Sequence, residues 1–173
     1  MQDVASTLVM WVFPGLMLVA AVTDLLWRRI PNWISGALIA GFMLLAFSSG
    51  MDFDTLWQSL AVGLAALAVG FILFAIGQMG GGDAKLIATS VLWFGATMPL
   101  LEYIVAFSIY GAVLSLVFLL RRFHVVQLML VSNRFSAKLA GTVNKGREVP
   151  YGIAIGIAAL EKHTQLVALH LGG

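Results

Sequence analysis

Cysteine and charged side chains are what this sequence has least of. It contains no cysteine, which excludes disulfides, cysteine-ligated zinc and a thiol nucleophile. Charged residues make up 10% of the chain, against about 25% in an average soluble domain. Hydrophobic residues make up 61%, and the mean hydropathy is +0.98. The composition excludes an ordinary soluble domain and predicts a membrane protein surrounded by the lipid bilayer, while a net charge of +2 is too small to indicate a nucleic-acid partner.

Long uncharged stretches predict an all-α polytopic membrane protein with about six transmembrane helices, in a single membrane-embedded domain over residues 1–173. A span needs about 20 apolar residues, with a usual range of about 17 to 25. Pro99 and Glu102 predict a tight turn between the fourth and fifth helices. Glu161, Lys162 and His163 interrupt the last stretch, so five helices is the alternative. The stretches are 4–22, 33–51, 55–79, 86–101, 103–120 and a shorter one that begins at Val149.

Basic residues segregate to one side of this predicted arrangement. If the N-terminus is outside and each stretch crosses once, every lysine and arginine except Lys162 lies on the same side. The positive-inside rule makes that side cytoplasmic. The segment 121–148 is then a cytoplasmic loop. Arg28 and Arg29, the first basic residues, follow the first apolar run, so we expect that run to be a retained helix and not a cleaved signal peptide.

Two aspartates lie at helix ends on this same side. Asp24 ends the first stretch and Asp83 follows the third, and two crossings separate them, so they share one face in either orientation. Ionisable groups in or near the bilayer usually face the interior of a helical bundle or a water-filled cavity. When two carboxyl groups lie close together, ionising both is electrostatically unfavourable, so one tends to keep its proton. An aspartic protease uses such a pair as general acid and base. The plainer alternative is that each aspartate caps a helix or pairs with Arg28, Arg29 or Lys85.

Three glycines directly precede Asp83. Without their Cβ atoms, an extended substrate backbone could approach the carboxylate closely, so we predict a substrate-access loop. As a purely structural feature, the same run would form a flexible loop. The three residues are Gly80, Gly81 and Gly82.

Three motifs in this order resemble those of the type IV prepilin peptidases. The first is Asp24 followed by Ile30-Pro31-Asn32, the second is Gly80-Gly81-Gly82-Asp83, and the third is Val149-Pro150-Tyr151-Gly152 with Gly156 beyond it. The second matches the Gly-x-Gly-Asp signature shared with presenilin-like and preflagellin peptidases.

This resemblance implies a six-helix fold with Asp24 and Asp83 as the catalytic pair. It also implies a place in the bacterial inner membrane, with the active site facing the cytoplasm. The substrates would be prepilins or pseudopilins, whose basic leader is cleaved just before a hydrophobic segment.

The resemblance is to the short members of the family. Longer members carry a cytoplasmic insertion with paired cysteines and also methylate the new N-terminus. Here the loop between the first two helices is short and has no cysteine. The chain therefore resembles the tight-adherence (Flp pilus) type, a peptidase without a methyltransferase.

Several other polar or small residues have a less definite role. Gly152 and Gly156 form a small-xxx-small surface that would let a helix approach its neighbours. No cofactor or metal is predicted, because the histidines lack metal-ligand spacing, and we expect them to be solvated or interfacial. The histidines are His124, His163 and His170, and the candidates for substrate contact or packing are Lys85, Pro150, Tyr151 and Gly152.

A small ion- or proton-coupled transporter is the main alternative function, because an aspartate pair could also form an ion site. A carrier site is expected near the bilayer midplane. Both aspartates are instead predicted at one face, which favours the peptidase.

Overall fold

The computed structural model describes the backbone of residues 2–131 and 149–171, and the side chains of 4–121 and 149–171. Over these ranges all regular structure is helical, which confirms the predicted all-α membrane class. The helices are α1 (Gln2–Thr7, a π-helical turn Leu8–Val12, then Phe13–Trp27), α2 (Asn32–Ser49), α3 (Phe53–Ala75), α4 (Gly81–Phe94), α5 (Met98–Val131), α6 (Tyr151–Glu161) and α7 (His163–Leu171). Residues 121–131 of the predicted cytoplasmic loop 121–148 are helical and belong to the end of α5, and residues 132–148 lie outside the described residues.

The helices fall into two length classes. Within the described ranges, four are long and apolar enough to cross a membrane: Val4–Trp27, Asn32–Ser49, Phe53–Ala75 and Met98–Arg121. The other two core helices are shorter, with 14 residues in α4 and 11 in α6. At about 1.5 Å per residue, α6 is roughly 16 Å long, about half the thickness of a bilayer's hydrocarbon core. The four long helices and two short ones agree with the predicted count of about six.

The turn between α4 and α5 lies earlier than the sequence analysis predicted. α4 ends at Phe94 and α5 begins at Met98, so the chain reverses at Gly95 and not at Pro99 and Glu102. Gly95 has a φ of 58°, a conformation that glycine adopts without strain. Pro99 lies in the first turn of α5, where its missing N–H leaves no hydrogen bond unmade. The predicted turn was wrong because proline suits a helix start as well as a turn.

The short helix α4 lies at the centre of the bundle, and most of its side chains are buried. Trp93 is fully buried, and its indole N–H donates to the carbonyl of Leu38 in α2 at 3.1 Å. Its ring centroid lies 5.1 Å from that of Phe13 in α1 and 6.4 Å from that of Phe42 in α2. A buried indole N–H needs an acceptor, so this bond and the ring contacts define how α1, α2 and α4 pack.

Helix α3 approaches α4 closely because α3 presents glycines to α4. A Cβ added at Gly63 would lie 2.4 Å from a methyl carbon of Leu92, and one at Gly70 would lie 2.9 Å from the Cβ of Ala84. Ala84 directly follows Asp83. In lipid there is no hydrophobic driving force for helices to associate, so they associate through close van der Waals packing of this kind.

An ionic network joins α5, α6 and α7 at the end of α6 that lies farther from Asp24. Glu102 accepts hydrogen bonds from Lys162 at 3.1 Å and from Gln165 at 2.7 Å. The hydroxyl of Tyr110 donates to the carboxylate of Glu161. Lys162, the one basic residue that the predicted topology leaves on the far side, is thus paired with acidic residues there.

Two histidines on α7 are part of the packing. A ring nitrogen of His163 lies 3.0 Å from the carbonyl oxygen of Val9, in the π-helical turn, and one of His170 lies 2.7 Å from that of Trp93. A carbonyl can only accept, so each ring donates an N–H to the main chain. The sequence pattern did not predict these main-chain bonds, although both side chains are partly exposed, and the side chain of His124 lies outside the described residues.

The topology can be tested with single cysteines, because the parent chain has none. Trp27 precedes α2 with 66% of its surface exposed, and the exposed Asp52 follows α2. In intact cells, Trp27→Cys should react only with reagents that enter the cytoplasm, and Asp52→Cys should react with impermeant ones. Labelling of both positions from the same side would contradict the assignment of α2 as a span.

Candidate active site

A cavity of about 900 Å³ opens at the end of the bundle where α1 ends and α4 and α6 begin. It contains both aspartates that the sequence analysis singled out. The same end carries two arginines, the glycine run and the start of the third motif. Residues that line the cavity include Asp24, Arg28, Arg29, Asn32, Phe74, Gly80, Gly81, Gly82, Asp83, Pro150 and Tyr151.

Asp24 belongs to the last turn of α1, and only 6% of its surface is exposed. The helix ends just beyond it because Arg28 adopts the left-handed conformation, with its N–H on the carbonyl of Asp24 at 2.9 Å. This is a common way for a helix to stop. The guanidinium carbon of Arg28 lies 5.9 Å from the ring centre of Phe118 in α5, within the range of a cation–π contact. The exit of the chain from α1 is thereby tied to another helix.

The start of α6 is directed at the Asp24 carboxylate. The backbone N–H of Gly152 donates to Oδ2 of Asp24 at 2.8 Å, in a buried position. Gly152 is the second residue of α6, so this N–H has no partner within its own helix. The positive end of the helix dipole also favours a carboxylate here. The third motif therefore supplies a hydrogen-bond donor to the first.

Only glycine fits at position 152. A Cβ there would lie 2.8 Å from Oδ2 of Asp24 and 2.9 Å from its Cβ and Cγ. One turn further along, a Cβ at Gly156 would lie 2.8 Å from the Cβ of Ala21 and 3.0 Å from the carbonyl oxygen of Met17. The structure thus places the small-xxx-small pair against α1, where it brings the backbone of α6 to the carboxylate.

Asp83 is the third residue of α4, and 8% of its surface is exposed. A carboxylate in a first turn is favoured by the helix dipole. Gly80, which precedes the helix, has φ −70° and ψ 141°, values open to any residue. A Cβ there would lie 2.8 Å from Oδ2 of Asp83. Glycine at position 80 thus provides room beside the carboxylate, not an unusual backbone conformation.

The other two glycines belong to α4 and not to the preceding loop. A Cβ at Gly81 would lie 3.3 Å from the ring of Phe74, and one at Gly82 would lie 3.3 Å from the Cβ of Ile30. These contacts are tight, so each neighbour would have to shift by a few tenths of an ångström. Packing alone thus favours a small residue at both positions.

Of the remaining predicted site residues, some line the cavity and one does not. Lys85 is exposed and is absent from the described cavity lining; its Nζ donates to Oδ1 of Asn32 at 3.2 Å, joining α4 to the start of α2. Pro150 and Tyr151 line the cavity. Arg28 and Arg29 line it too, which was not predicted from the sequence. Their position directly after Asp24 was the available signal.

The fold and the cavity define a polytopic membrane protein with two buried carboxylic acids at one end of its helical bundle. A model of the type IV leader peptidase family matches residues 11–120, which is 110 of the 173 residues. The chain therefore belongs to the type IV leader peptidase family. Both aspartates lie within the matched range, and Gly152 lies beyond it. No curated protein and no solved structure matches the chain.

The contact at Gly152 generates a prediction for peptidase activity. Gly152→Ala should lower the rate by on the order of a hundredfold, because the added Cβ must displace the Asp24 carboxylate or α6, and about 1 Å of misplacement can cost that much. Gly36→Ala is the matched control, since a Cβ at Gly36 meets nothing within 4 Å. The measurements are cleavage rate and thermal unfolding in detergent. Equal activity of the two variants would show that the contact at Gly152 has no role in the reaction.

Proposed function

We propose that this protein is an intramembrane aspartic endopeptidase that removes the basic leader peptide of type IV prepilins or pseudopilins. Asp24 and Asp83 act as paired general acid and base, at the cytoplasmic face of the bacterial inner membrane. One observation carries the proposal: in a chain of the leader peptidase family, two buried carboxyl groups line the same cavity.

The proposed reaction needs one carboxylate and one carboxylic acid. The carboxylate takes a proton from a water molecule, whose oxygen attacks the carbonyl carbon of the scissile peptide bond. The carboxylic acid gives its proton to the leaving nitrogen as the C–N bond breaks, and the products are a carboxylate and an amine. Two acids in one cavity suit this division of roles, because carboxyl groups that come close together in general share a single proton.

The shape of the cavity supports a peptide substrate. Its volume of about 900 Å³ lies at the upper end of the range for small-molecule sites, roughly 300 to 1,000 Å³, so it can hold several residues. Gly80 leaves the Asp83 carboxylate uncovered by any side chain at that position. An extended backbone can approach the carboxylate along this path, which is the access role that we propose for the glycine run.

The charge distribution supports the cytoplasmic orientation. Arg28 and Arg29 line the cavity and Lys85 lies close by, so the site is at the basic end of the bundle. The absence of cysteine and the short connection from Trp27 to Asn32 support the short tight-adherence type, which acts in Flp pilus assembly and secretion. Family membership and the position of both acids at one end disfavour an ion-coupled transporter.

Replacing either aspartate tests the mechanism. Asp24→Asn and Asp83→Asn preserve size but remove the acid, so each should abolish cleavage of a purified prepilin in detergent. The double variant should be no worse than either single one, because residues that act as a unit are lost together. Thermal unfolding of each variant should remain cooperative.

Asp54→Asn is the matched control, because Asp54 is exposed at the start of α3, away from the cavity. It should cleave at the rate of the parent. If a well-folded Asp24→Asn or Asp83→Asn protein also cleaves at that rate, the two-aspartate mechanism is wrong. Ion flux in liposomes would then test the transporter.

A second experiment separates the two explanations for glycine at position 82. Gly82→Val should reduce cleavage by roughly a hundredfold, because a β-branched side chain crowds the substrate path next to Asp83. If glycine serves only to fit Ile30, then trimming the neighbour in an Ile30→Ala background should restore activity. We expect no rescue, measured as cleavage rate per folded protein. Full rescue would reduce Gly82 to a packing residue.

A further inference from the structure

A hydrogen bond between Tyr151 and Ser115 joins α6 to α5 next to the active site. The Tyr151 hydroxyl and Oγ of Ser115 lie 2.8 Å apart in a partly buried position. Tyr151 is the first residue of α6 and precedes Gly152, the donor to Asp24. Among the described residues that line the cavity, none belongs to α5. This helix can therefore act on the site only through its contacts.

The ring of Tyr151 rests on a gap in the surface of α5. A Cβ at Gly111 would lie 3.1 Å from Cε1 and 3.2 Å from Cδ1 of that ring, a spacing that leaves little room for a methyl group. Gly111 and Ser115 are four residues apart, so they lie one above the other on the same face of α5. Gly111 leaves room for the ring, and Ser115, one turn further along, bonds to its hydroxyl.

The far end of α6 is held by the same helix. Tyr110 donates to Glu161, the last residue of α6, and Glu102 binds Lys162, which follows it. On the opposite side, the backbone of α6 packs against α1 through Gly156. Helix α6 is thus held between α5 and α1, with an attachment to α5 at each end.

We propose that Gly111 and Ser115 are positioning residues, which hold Tyr151 so that the N–H of Gly152 stays on the Asp24 carboxylate. This inference rests on the proposed catalytic role of Asp24. A helix of only 11 residues can rotate or slide unless it is held, and one residue of slippage along its axis is about 1.5 Å. A shift of that size removes the donor from Asp24.

The competing role for Tyr151 is direct contact with the substrate, since it lines the cavity. The two roles differ in what Ser115 does. If the hydroxyl of Tyr151 acts on the substrate, removing its partner on α5 has little effect. If the hydroxyl anchors α6, removing either partner has the same effect.

The test is a double-mutant cycle on purified prepilin cleavage, with kcat and KM measured separately. Ser115→Ala and Tyr151→Phe should each lower kcat about five- to tenfold with little change in KM, as expected for the loss of one hydrogen bond that aligns a reacting group. The double variant should be no slower than either single one. Ser115→Thr keeps the hydroxyl and should restore kcat. Ser108→Ala is the matched control on α5, because its hydroxyl bonds to Ile104 in its own helix.

Gly111→Ala provides an independent measurement, with Gly36→Ala as its control. It should lower kcat by displacing the Tyr151 ring, and it decides the matter if Ser115→Ala lowers the folded yield. Parent-like kcat in well-folded Ser115→Ala and Gly111→Ala, or multiplicative effects of Ser115→Ala and Tyr151→Phe, would overturn the positioning role. Asp24→Asn in the same assay tests the proposed function separately from the positioning role. An active Asp24→Asn protein contradicts the proposed function, and an inactive one leaves only the positioning role in question.

Discussion

The hydrogen bond from the N–H of Gly152 to the Asp24 carboxylate imposes a strict requirement on the helices around it. A carboxylate buried between helices is costly unless donors surround it. One donor here is the backbone N–H of Gly152, so α6 must come within direct contact of α1. That approach needs glycine at 152 and 156 and a small residue at 21. Much of the packing between α1 and α6 follows from this one requirement.

Both short helices begin at the cavity, and this geometry has a cost at their other ends. A helix that stops inside a membrane bundle leaves its last carbonyl groups without partners. α7 supplies one donor there, because His170 bonds to the carbonyl of Trp93 at the end of α4. His163 bonds in the same way to Val9, in the π-helical turn of α1. After the interruption at Lys162, α7 thus bonds to α1 and to the end of α4.

The glycines around the site have different roles. Gly152 lets the Asp24 carboxylate contact the backbone of α6, and Gly80 leaves room beside Asp83. Gly82 meets Ile30, and Gly111, far from any motif, receives the ring of Tyr151. At Gly82, Gly111 and Gly152 the reason is a neighbour from a distant part of the chain, whereas at Gly80 it is Asp83, three residues away. A glycine in a membrane helix is therefore best explained by what a Cβ would touch.

The sequence alone determined the membrane class, the approximate helix count and the location of two acids at the same end of the bundle. These conclusions depend on composition and on the number of crossings between Asp24 and Asp83, neither of which needs contact geometry. Local patterns failed where one residue type serves two structures. Pro99 fits a turn and a helix start equally well, and His163 and His170 look the same in sequence whether they face water or a main-chain carbonyl. The bond from Gly152 to Asp24 joins residues 128 positions apart, and that from Tyr151 to Ser115 joins residues 36 apart. Only the tertiary structure decided these contacts, because they depend on the axial position and rotation of one helix against another, which hydropathy and spacing leave open.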